Sequence, residues 1–352
     1  AAAADEQLLR STRGADRLRA EIANLRRAFD DALDRGDVAA AVDLIGPFVD
    51  LRGEIDWNIS GWANEVLALI EDNGDSSVPV LEALRGLDLW LDGCFDGLHA
   101  LAERLVDRNF TDSRFAAGIY DVAAFLLWLT GDDDAVVALE DRLREIGDMR
   151  LYRRAVAFAY RYFVQLVPSR GVGADSPEVT EAIARLLASD ARFARSDGHL
   201  LAAFQAYVRD DDSEMLEQAR AAKVLQVAGS ASWFSSLQME AWAQARLGRF
   251  DEALATAGVD LEYAYLRGDR SAMILPLTVC AFVLQQLDQV EVAATIRGCL
   301  PRRLTIMLVR ELADIDRWLA ERLSAERRAE LADRGRAMEP RELYALACAA
   351  SA

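Results

Sequence analysis

The chain has 352 residues, of which 52% are apolar and 28% charged, so it is long enough to bury a large core and too apolar for wholesale disorder. Its net charge of −18 argues against direct contact with nucleic acid or with an anionic membrane surface. The longest nearly apolar runs, such as residues 122–129, are too short to span a bilayer. Without a signal-peptide pattern at the N-terminus, these features predict a cytoplasmic protein.

The first half of the chain reads as a series of helices. Residues 15–35 are predicted to be helical because five apolar residues recur at spacings of three and four: Leu18, Ile22, Leu25, Phe29 and Leu33. A turn at Gly36 leads to a return helix over residues 38–49, which Pro47 is expected to kink. Further helices are predicted at about 54–71, 78–91, 94–108, 112–129, 134–146 and 149–166.

Residues 168–177 form the most loop-like stretch of the sequence. We predict one domain over residues 1–352, with a hinge at 168–176 between an N-terminal half, 15–167, and a C-terminal half, 177–350. Helices follow at about 177–188, 197–208 and 213–226, and after a central hairpin at 270–286, 290–299, 303–320, 325–335 and 340–349. Since no alternating strand pattern is found, the predicted fold class is all-α.

The central hairpin spans residues 233–261, where two amphipathic segments flank Gly248. Its small residue Ala241, then Gly248, Phe250 and Ala253 resemble a tetratricopeptide unit, although Asp260 stands where that pattern has a small or apolar residue. Similar turns are predicted at Gly36, at Gly131 and near residues 287–288. The resemblance implies a divergent tetratricopeptide-like α-α superhelix, a solenoid whose concave face binds partners.

Three stretches, the hairpin with residues 267–270 and two others, resemble the C-terminal helical region of actinobacterial LuxR-type and cyclase-linked STAND ATPase regulators, the maltose-regulator-like class. The opening mark lies at Glu21, Asn24, Leu25, Arg26, Ala28, Ala32, Leu33, Gly36 and Asp37. The closing mark lies at Gly335, Arg336, Met338 and Glu342, after a segment over residues 292–298, with Leu343 where alanine is usual. The resemblance implies a non-catalytic sensor or interaction domain that binds a protein partner or a small-molecule effector.

The ATPase module itself is not expected in this chain. There is no G-x-x-x-x-G-K-[ST] motif, and Lys223, the one lysine, has no glycine-rich loop before it. We therefore expect no cofactor here, and the nucleotide- and DNA-binding modules outside this sequence. A free-standing tetratricopeptide-like adaptor that binds peptide segments is the alternative.

The helix over residues 149–166 carries the strongest candidate for an effector site. Arg154 and Arg161 share one helical face, and Arg153 and Tyr160 share the neighbouring one. These arginines and the tyrosine suit an anionic effector, although salt bridges to neighbouring helices explain them more simply.

A second candidate surface lies on the third helix. Trp57, Gly61 and Asn64 fall on the face opposite Trp62, so Trp57 and Asn64 are candidates to line a groove, with plain packing as the alternative.

Catalytic and metal-binding patterns are weak. The two histidines, His99 and His199, have no nearby ligand partners in the sequence. The four cysteines, Cys94, Cys280, Cys299 and Cys348, form no C-x-x-C pair and are expected to be free buried thiols. The acidic runs 132–134 and 210–212 are expected to be solvated turns and helix caps, and the first of them is the single crude likeness to a magnesium-dependent helical enzyme.

Overall fold

The computed structural model describes residues 12–51, 59–70, 75–91, 95–107, 115–130, 135, 177–188, 192–226, 228, 231–267, 272–300 and 309–351. Within these residues every regular element is a helix, which confirms the all-α prediction. The helices predicted at 134–146 and 149–166, the turn at Gly131 and the hinge at 168–176 lie outside them. None of the described helices is both long and apolar enough to cross a membrane.

The described residues contain sixteen α-helices and one 3₁₀ segment, Gly46–Leu51. The first eight helices are α1 Thr12–Asp34, α2 Val38–Ile45, α3 Ile59–Leu67, α4 Val78–Leu91, α5 Phe95–Asp107, α6 Ala116–Thr130, α7 Pro177–Leu187 and α8 Arg192–Val208. The remaining eight are α9 Asp212–Leu225, α10 Ala231–Arg246, α11 Phe250–Arg267, α12 Ile274–Gln286, α13 Val290–Cys299, α14 Val309–Arg322, α15 Ala325–Ala337 and α16 Pro340–Ser351.

Most helix boundaries lie close to the predicted ones. The end of the return helix and the start of α8 need a separate account. The α-helical part of the return helix stops at Ile45 and continues as the 3₁₀ segment, which is the kink expected from Pro47. Helix α8 begins at Arg192, five residues before the predicted start, and runs through Gly198. A Cβ on Gly198 would lie 3.0 Å from the Cβ of Leu186, so the glycine sits at a close helix contact rather than at a helix start.

The chain divides into two compact units, of which unit 1 comprises residues 1–90, 94–201 and 224–233. In it α1 packs on α2, α2 on α3, and α5 on α6. Arg26 of α1 donates to both carboxylate oxygens of Glu65 on α3, at 2.9 and 2.8 Å, and lies over the stacked rings of Phe29 and Trp62. Asn24 donates to Glu21 at 2.7 Å. Of the opening mark, Arg26 therefore stabilises the α1–α3 packing. Glu21 and Asn24 pair with each other on the surface of α1.

Unit 2 comprises residues 91–93, 202–223 and 234–352. Helix α11 packs on α12, α12 packs on α13, and α16 contacts all three. Helix α12 is apolar on every side and has eight buried residues, so it forms the centre of this packing.

At the α13–α15 crossing two helix backbones are in direct contact. A Cβ on Gly335 of α15 would lie 1.8 Å from the carbonyl oxygen of Thr295, and one on Gly298 of α13 would lie 2.2 Å from the Cα of Ala332. Each glycine thus lets one helix backbone touch the other, which gives Gly335 of the closing mark a packing role.

Four helix ends share one turn geometry. Gly36, Asp210, Gly248 and Asp288 have φ values of +68°, +58°, +74° and +56°. After each, the next residue donates its N–H at 2.9 Å to the carbonyl five residues earlier, the bond of a Schellman motif. The predicted turns at Gly36, Gly248 and residues 287–288 are therefore confirmed, and the turn at Asp210 is an additional one. The last three turns fall at residues 210, 248 and 288, so successive hairpins are 38 and 40 residues apart.

Candidate ligand or partner site

The candidate residues from the sequence contribute little to a described site. Arg153, Arg154, Tyr160, Arg161 and Trp57 lie outside the described residues, so their roles stay predictions. Asn64 is exposed on α3, and its backbone carbonyl accepts the N–H of Ala68 at 3.1 Å.

The four equivalent turns give the chain its own internal alignment, counted from the residue with positive φ. In α10, the residues twelve, eight and four positions before Gly248 are Ser236, Glu240 and Gln244, with exposed fractions of 0%, 5% and 3%. The equivalent residues of α8 and α12 are small or apolar: Gly198, Ala202 and Ala206, then Pro276, Cys280 and Leu284. Helix α10 therefore buries a polar stripe where these two helices carry small or apolar residues.

The second helix of this hairpin, α11, also buries a polar residue where the other hairpins have an apolar one. Asp260 of α11 stands twelve residues after Gly248 and is 1% exposed. The residues at the same position after the other three turns are Phe48, Ala222 and Leu300, which are all buried and apolar. We call α10–α11, with Ser236, Glu240, Gln244 and Asp260, the polar hairpin.

Glu240 is held by two cations from α9. Arg220 donates from Nε to Glu240 Oε1 at 2.8 Å, and the Nζ of Lys223 contacts Oε2 of the same carboxylate. Arg220 also lies 3.7 Å from Glu252 of α11. The Glu240 side chain is 6% exposed, while those of Arg220 and Lys223 are 46% and 29% exposed, so the cations reach the acid from the solvent side.

At the C-terminal end of α10, Arg246 contacts three carboxylates. It lies 2.6 Å from Asp210, 2.6 Å from Asp212 and 3.5 Å from Glu311 of α14. Its guanidinium also covers the ring of Tyr207, whose hydroxyl donates to the two oxygens of Glu311 at 2.8 and 2.7 Å. The side chains of Arg246 and Glu311 are only 12% and 5% exposed. We call these five residues the Arg246 cluster.

Asp212 is the member of this cluster with the most unusual position. Two residues after the other three turns stand Val38, Phe250 and Val290, so Asp212 takes a place that is otherwise apolar. Burial raises the pKa of Asp212, and the charges of Asp210 and Asp211 add to the rise, while Arg246 opposes it.

Helices α9 and α10 therefore meet along a seam with ion pairs of opposite polarity at its two ends. At one end α9 supplies the acid, Asp212, and α10 the base, Arg246; at the other α9 supplies the bases and α10 the acid, Glu240. The charges of this α9–α10 seam are complementary when the two helices run antiparallel.

Two buried polar atoms of α10 lack a hydrogen-bond partner in the part of the chain that the structure describes. They are Oε1 of Gln244 and Nε1 of Trp242, whose ring packs 4.9 Å from that of Phe282. Buried polar groups are nearly always paired, so the Gln244 oxygen is available to accept a hydrogen bond from a water molecule or a ligand.

Metal and thiol chemistry find little support in the described residues. No group of three or more His, Cys, Asp or Glu residues among them is arranged to hold a metal ion. His99 lies on a helix face 3.5 Å from Glu103. Burial raises the pKa of Cys280 strongly and that of Cys299 to about 11, so both thiols stay protonated at neutral pH and react slowly.

Comparison of the chain with protein-family models, with curated proteins and with solved structures found no match in any of the three.

Proposed function

We propose that the chain is a non-catalytic sensor or interaction domain of a signalling ATPase or transcriptional regulator, and that it binds an effector through the polar hairpin. The hairpins, on this proposal, belong to a divergent tetratricopeptide-like superhelix. The observation that carries the proposal is the burial of Glu240, Gln244 and Asp260 at positions that are apolar or small at the other three turns of the same chain, together with Ser236, whose position is polar at one other turn, as Asn24.

Stability alone does not favour this arrangement. Helical repeats bury small and apolar residues at fixed positions because each hairpin must cover its neighbour. Each polar replacement costs free energy unless it is paired, and four of them fall in one hairpin. Departures from a local packing rule concentrate at functional sites, so the polar hairpin is where a ligand is expected.

The resemblance to STAND-class regulators supports the same class of function. In such proteins a helical repeat domain would bind an effector and bias the ATPase between resting and active states. The bias requires that the effector bind the two states with different affinity. The α9–α10 seam offers a means, because a ligand that competes for Glu240 changes the contacts between the two helices.

A thermal-shift screen of the whole chain tests the proposal. Small metabolites are grouped by charge and by hydrogen-bonding capacity, and hits are confirmed by calorimetry. We expect saturable binding with the ligand recovered unchanged. The variant Gln244→Leu, which carries the side chain that α12 has at Leu284, should weaken binding at least tenfold, whereas the exposed control Gln286→Leu should not. Turnover of the ligand, or equal affinity in Gln244→Leu, would contradict the proposal.

A second candidate, the peptide-binding adaptor, is favoured by an exposed apolar stripe on α11. Val259, Tyr263 and Leu266 lie one helical turn apart and are 45%, 40% and 70% exposed, while Phe234 supports the Tyr263 ring edge-on at 6.2 Å. A photo-crosslinking residue at position 263 would form protein adducts that Leu266→Asp abolishes. Equal labelling from the exposed position 330 would count against this adaptor role.

A further inference from the structure

Lys223 is the single lysine of the chain, among 40 lysine and arginine residues. It stands on α9, where its Nζ contacts Oε2 of Glu240, while Arg220 holds the other oxygen at 2.8 Å. An arginine would bind this carboxylate with two parallel hydrogen bonds and would never lose its charge. What lysine offers instead is a nitrogen that can give up its proton and form an amide bond.

The position of Lys223 links the surface to a buried carboxylate. The Lys223 side chain is 29% exposed, whereas that of Glu240, in the polar hairpin, is 6% exposed. Two cations, Arg220 and Lys223, balance the charge of Glu240, so the loss of one leaves a buried carboxylate with half of these ionic contacts. A reagent in solvent can therefore reach this side chain, and a chemical change at Nζ acts directly on the α9–α10 seam.

We propose that Lys223 is an acylation site, at which an activated acyl group, carried as an acyl phosphate or a thioester, is transferred to Nζ and opens this end of the α9–α10 seam. In the transfer, Nζ leaves Glu240 and gives one proton to water, and the resulting amine attacks the acyl carbonyl carbon. A C–N bond forms while the C–O bond to phosphate, or the C–S bond to the thiol, breaks, and the leaving group takes the bonding pair. This inference goes beyond the proposed function, since it requires no effector.

The product of the transfer cannot restore the ion pair. The amide of an acylated lysine carries no charge, so Arg220 is the remaining cation of Glu240 among the described residues, and Arg220 itself lies 3.7 Å from Glu252. Pairing with Glu240 and acylation therefore exclude each other at the same nitrogen. A change that separates Lys223 from Glu240 frees Nζ for acylation, and acylation weakens the contact between α9 and α10.

The first test measures acylation of the whole folded chain by acetyl phosphate and, in a separate arm, by acetyl-coenzyme A. Cleavage after arginine yields a peptide of residues 221–246, whose acetylated fraction at Lys223 is followed with time by mass spectrometry. We expect acetylation by at least one donor, at a rate that is roughly threefold higher in Glu240→Gln because the counter-ion is gone. Glu330→Gln, which alters an exposed glutamate on α15, should react as the parent does. No acetylation in either arm, or equal rates in Glu240→Gln and the parent, overturns the proposal.

The second test asks whether loss of the Lys223 charge acts through Glu240. Lys223→Gln mimics the neutral acylated lysine, and Lys223→Arg keeps the cation. We expect the unfolding temperature to fall by about 2 °C in Lys223→Gln and to stay within about 1 °C of the parent in Lys223→Arg. In a Glu240→Gln background the effect of Lys223→Gln should disappear, because the carboxylate is absent. An unchanged unfolding temperature in Lys223→Gln, or an equal fall in the Glu240→Gln background, overturns the proposal.

Discussion

The α9–α10 seam and the α13–α15 crossing join helices of the same unit by opposite means. At the seam, long charged side chains reach across, from Arg220 and Lys223 to Glu240 and from Arg246 to Asp212. At the crossing, Gly298 and Gly335 remove the side chains and bring the two backbones together. The first contact depends on charge state and solvent, whereas the second depends on shape alone.

This contrast indicates where unit 2 can respond and where it cannot. A backbone contact cannot shift without loss of close packing, because interiors are nearly incompressible. An ionic contact responds to protons, salt and charged ligands without a change in the helices themselves. We therefore expect α13–α15 to act as the fixed part of the unit and α9–α10 as the adjustable part.

The largest expected effect is that of Gly335→Ala. The added methyl group would meet the Thr295 carbonyl oxygen at 1.8 Å, and backbone must move to admit it. We expect a loss of at least about 3 kcal/mol in the free energy of unfolding, measured by urea denaturation followed by circular dichroism.

The control for this prediction is Gly97→Ala on α5. A Cβ there would meet its nearest atom, Leu89 Cδ1, at an ordinary 3.7 Å. Since alanine is the better helix former, this variant should gain about 0.5 to 1 kcal/mol. If Gly335→Ala were equally harmless, the contact at the crossing would be looser than described.

The next effect is that of Arg246→Met, which leaves the carboxylates of the Arg246 cluster without their guanidinium. We expect a loss of about 3 kcal/mol, because an uncompensated buried charge costs more than the ion pair contributes. The double variant Arg246→Met/Asp212→Asn should recover part of it. Arg317→Met is the control, since Arg317 is 70% exposed and pairs with Asp314 on its own helix. Equal losses of unfolding free energy in the two arginine variants would show that Arg246 contributes no more to stability than an exposed arginine.

Glu240→Gln should have a smaller effect than Arg246→Met. Its cations Arg220 and Lys223 are partly exposed and regain water when the charge is lost, and glutamine still accepts a hydrogen bond. We expect a loss of about 1 to 2 kcal/mol that shrinks in high salt. The exposed Glu330→Gln provides the comparison. A loss of stability that does not depend on salt concentration would indicate that packing, rather than charge, determines the effect at this end of the seam.

The smallest effect concerns the turn at Asp288, where glycine would remove the strain of a positive φ. Gly36 and Gly248 already hold the equivalent positions. Asp288→Gly should gain about 0.5 kcal/mol, because relief of the left-handed conformation exceeds the value of the exposed pair with Arg322. Thermal unfolding of the two chains side by side measures it, and a destabilised variant would mean that the Arg322 pair contributes more.

The elements that could be predicted from the sequence are those with local causes. Helical periodicity and the turns at Gly36 and Gly248 depend on neighbouring residues, so both were predicted correctly. The turn at Asp210 has the same backbone but no glycine, and its acidic run was interpreted as a solvated turn and helix cap. Asp210 and Asp211 are exposed, and Asp211 caps α9 by accepting the N–H of Glu214 at 3.0 Å, but Asp212 is paired with Arg246 and is not a solvated side chain.

The candidate site was missed for a non-local reason. Glu240 and Gln244 look like ordinary surface residues of an amphipathic helix, but tertiary packing buries both, and Glu240 is paired with Arg220 and Lys223 of α9. Asp260 was noted as a departure from the repeat pattern, and it proved to be a buried carboxylate. An alignment of the chain to itself at its turns would have placed Glu240 and Gln244 beside the small and apolar residues of the other hairpins.

The arrangement of α16 has a consequence for how unit 2 is made. This helix contacts α11, α12 and α13 together, and its Tyr344 donates to the carbonyl of Leu254 at 3.1 Å. Helix α12 leaves the ribosome well before α16, so its all-round apolar surface remains without one of its covers while the intervening residues are synthesised. During that interval the nascent chain exposes an apolar helix that is prone to aggregation. A chaperone that shields α12 would therefore raise the yield of folded protein.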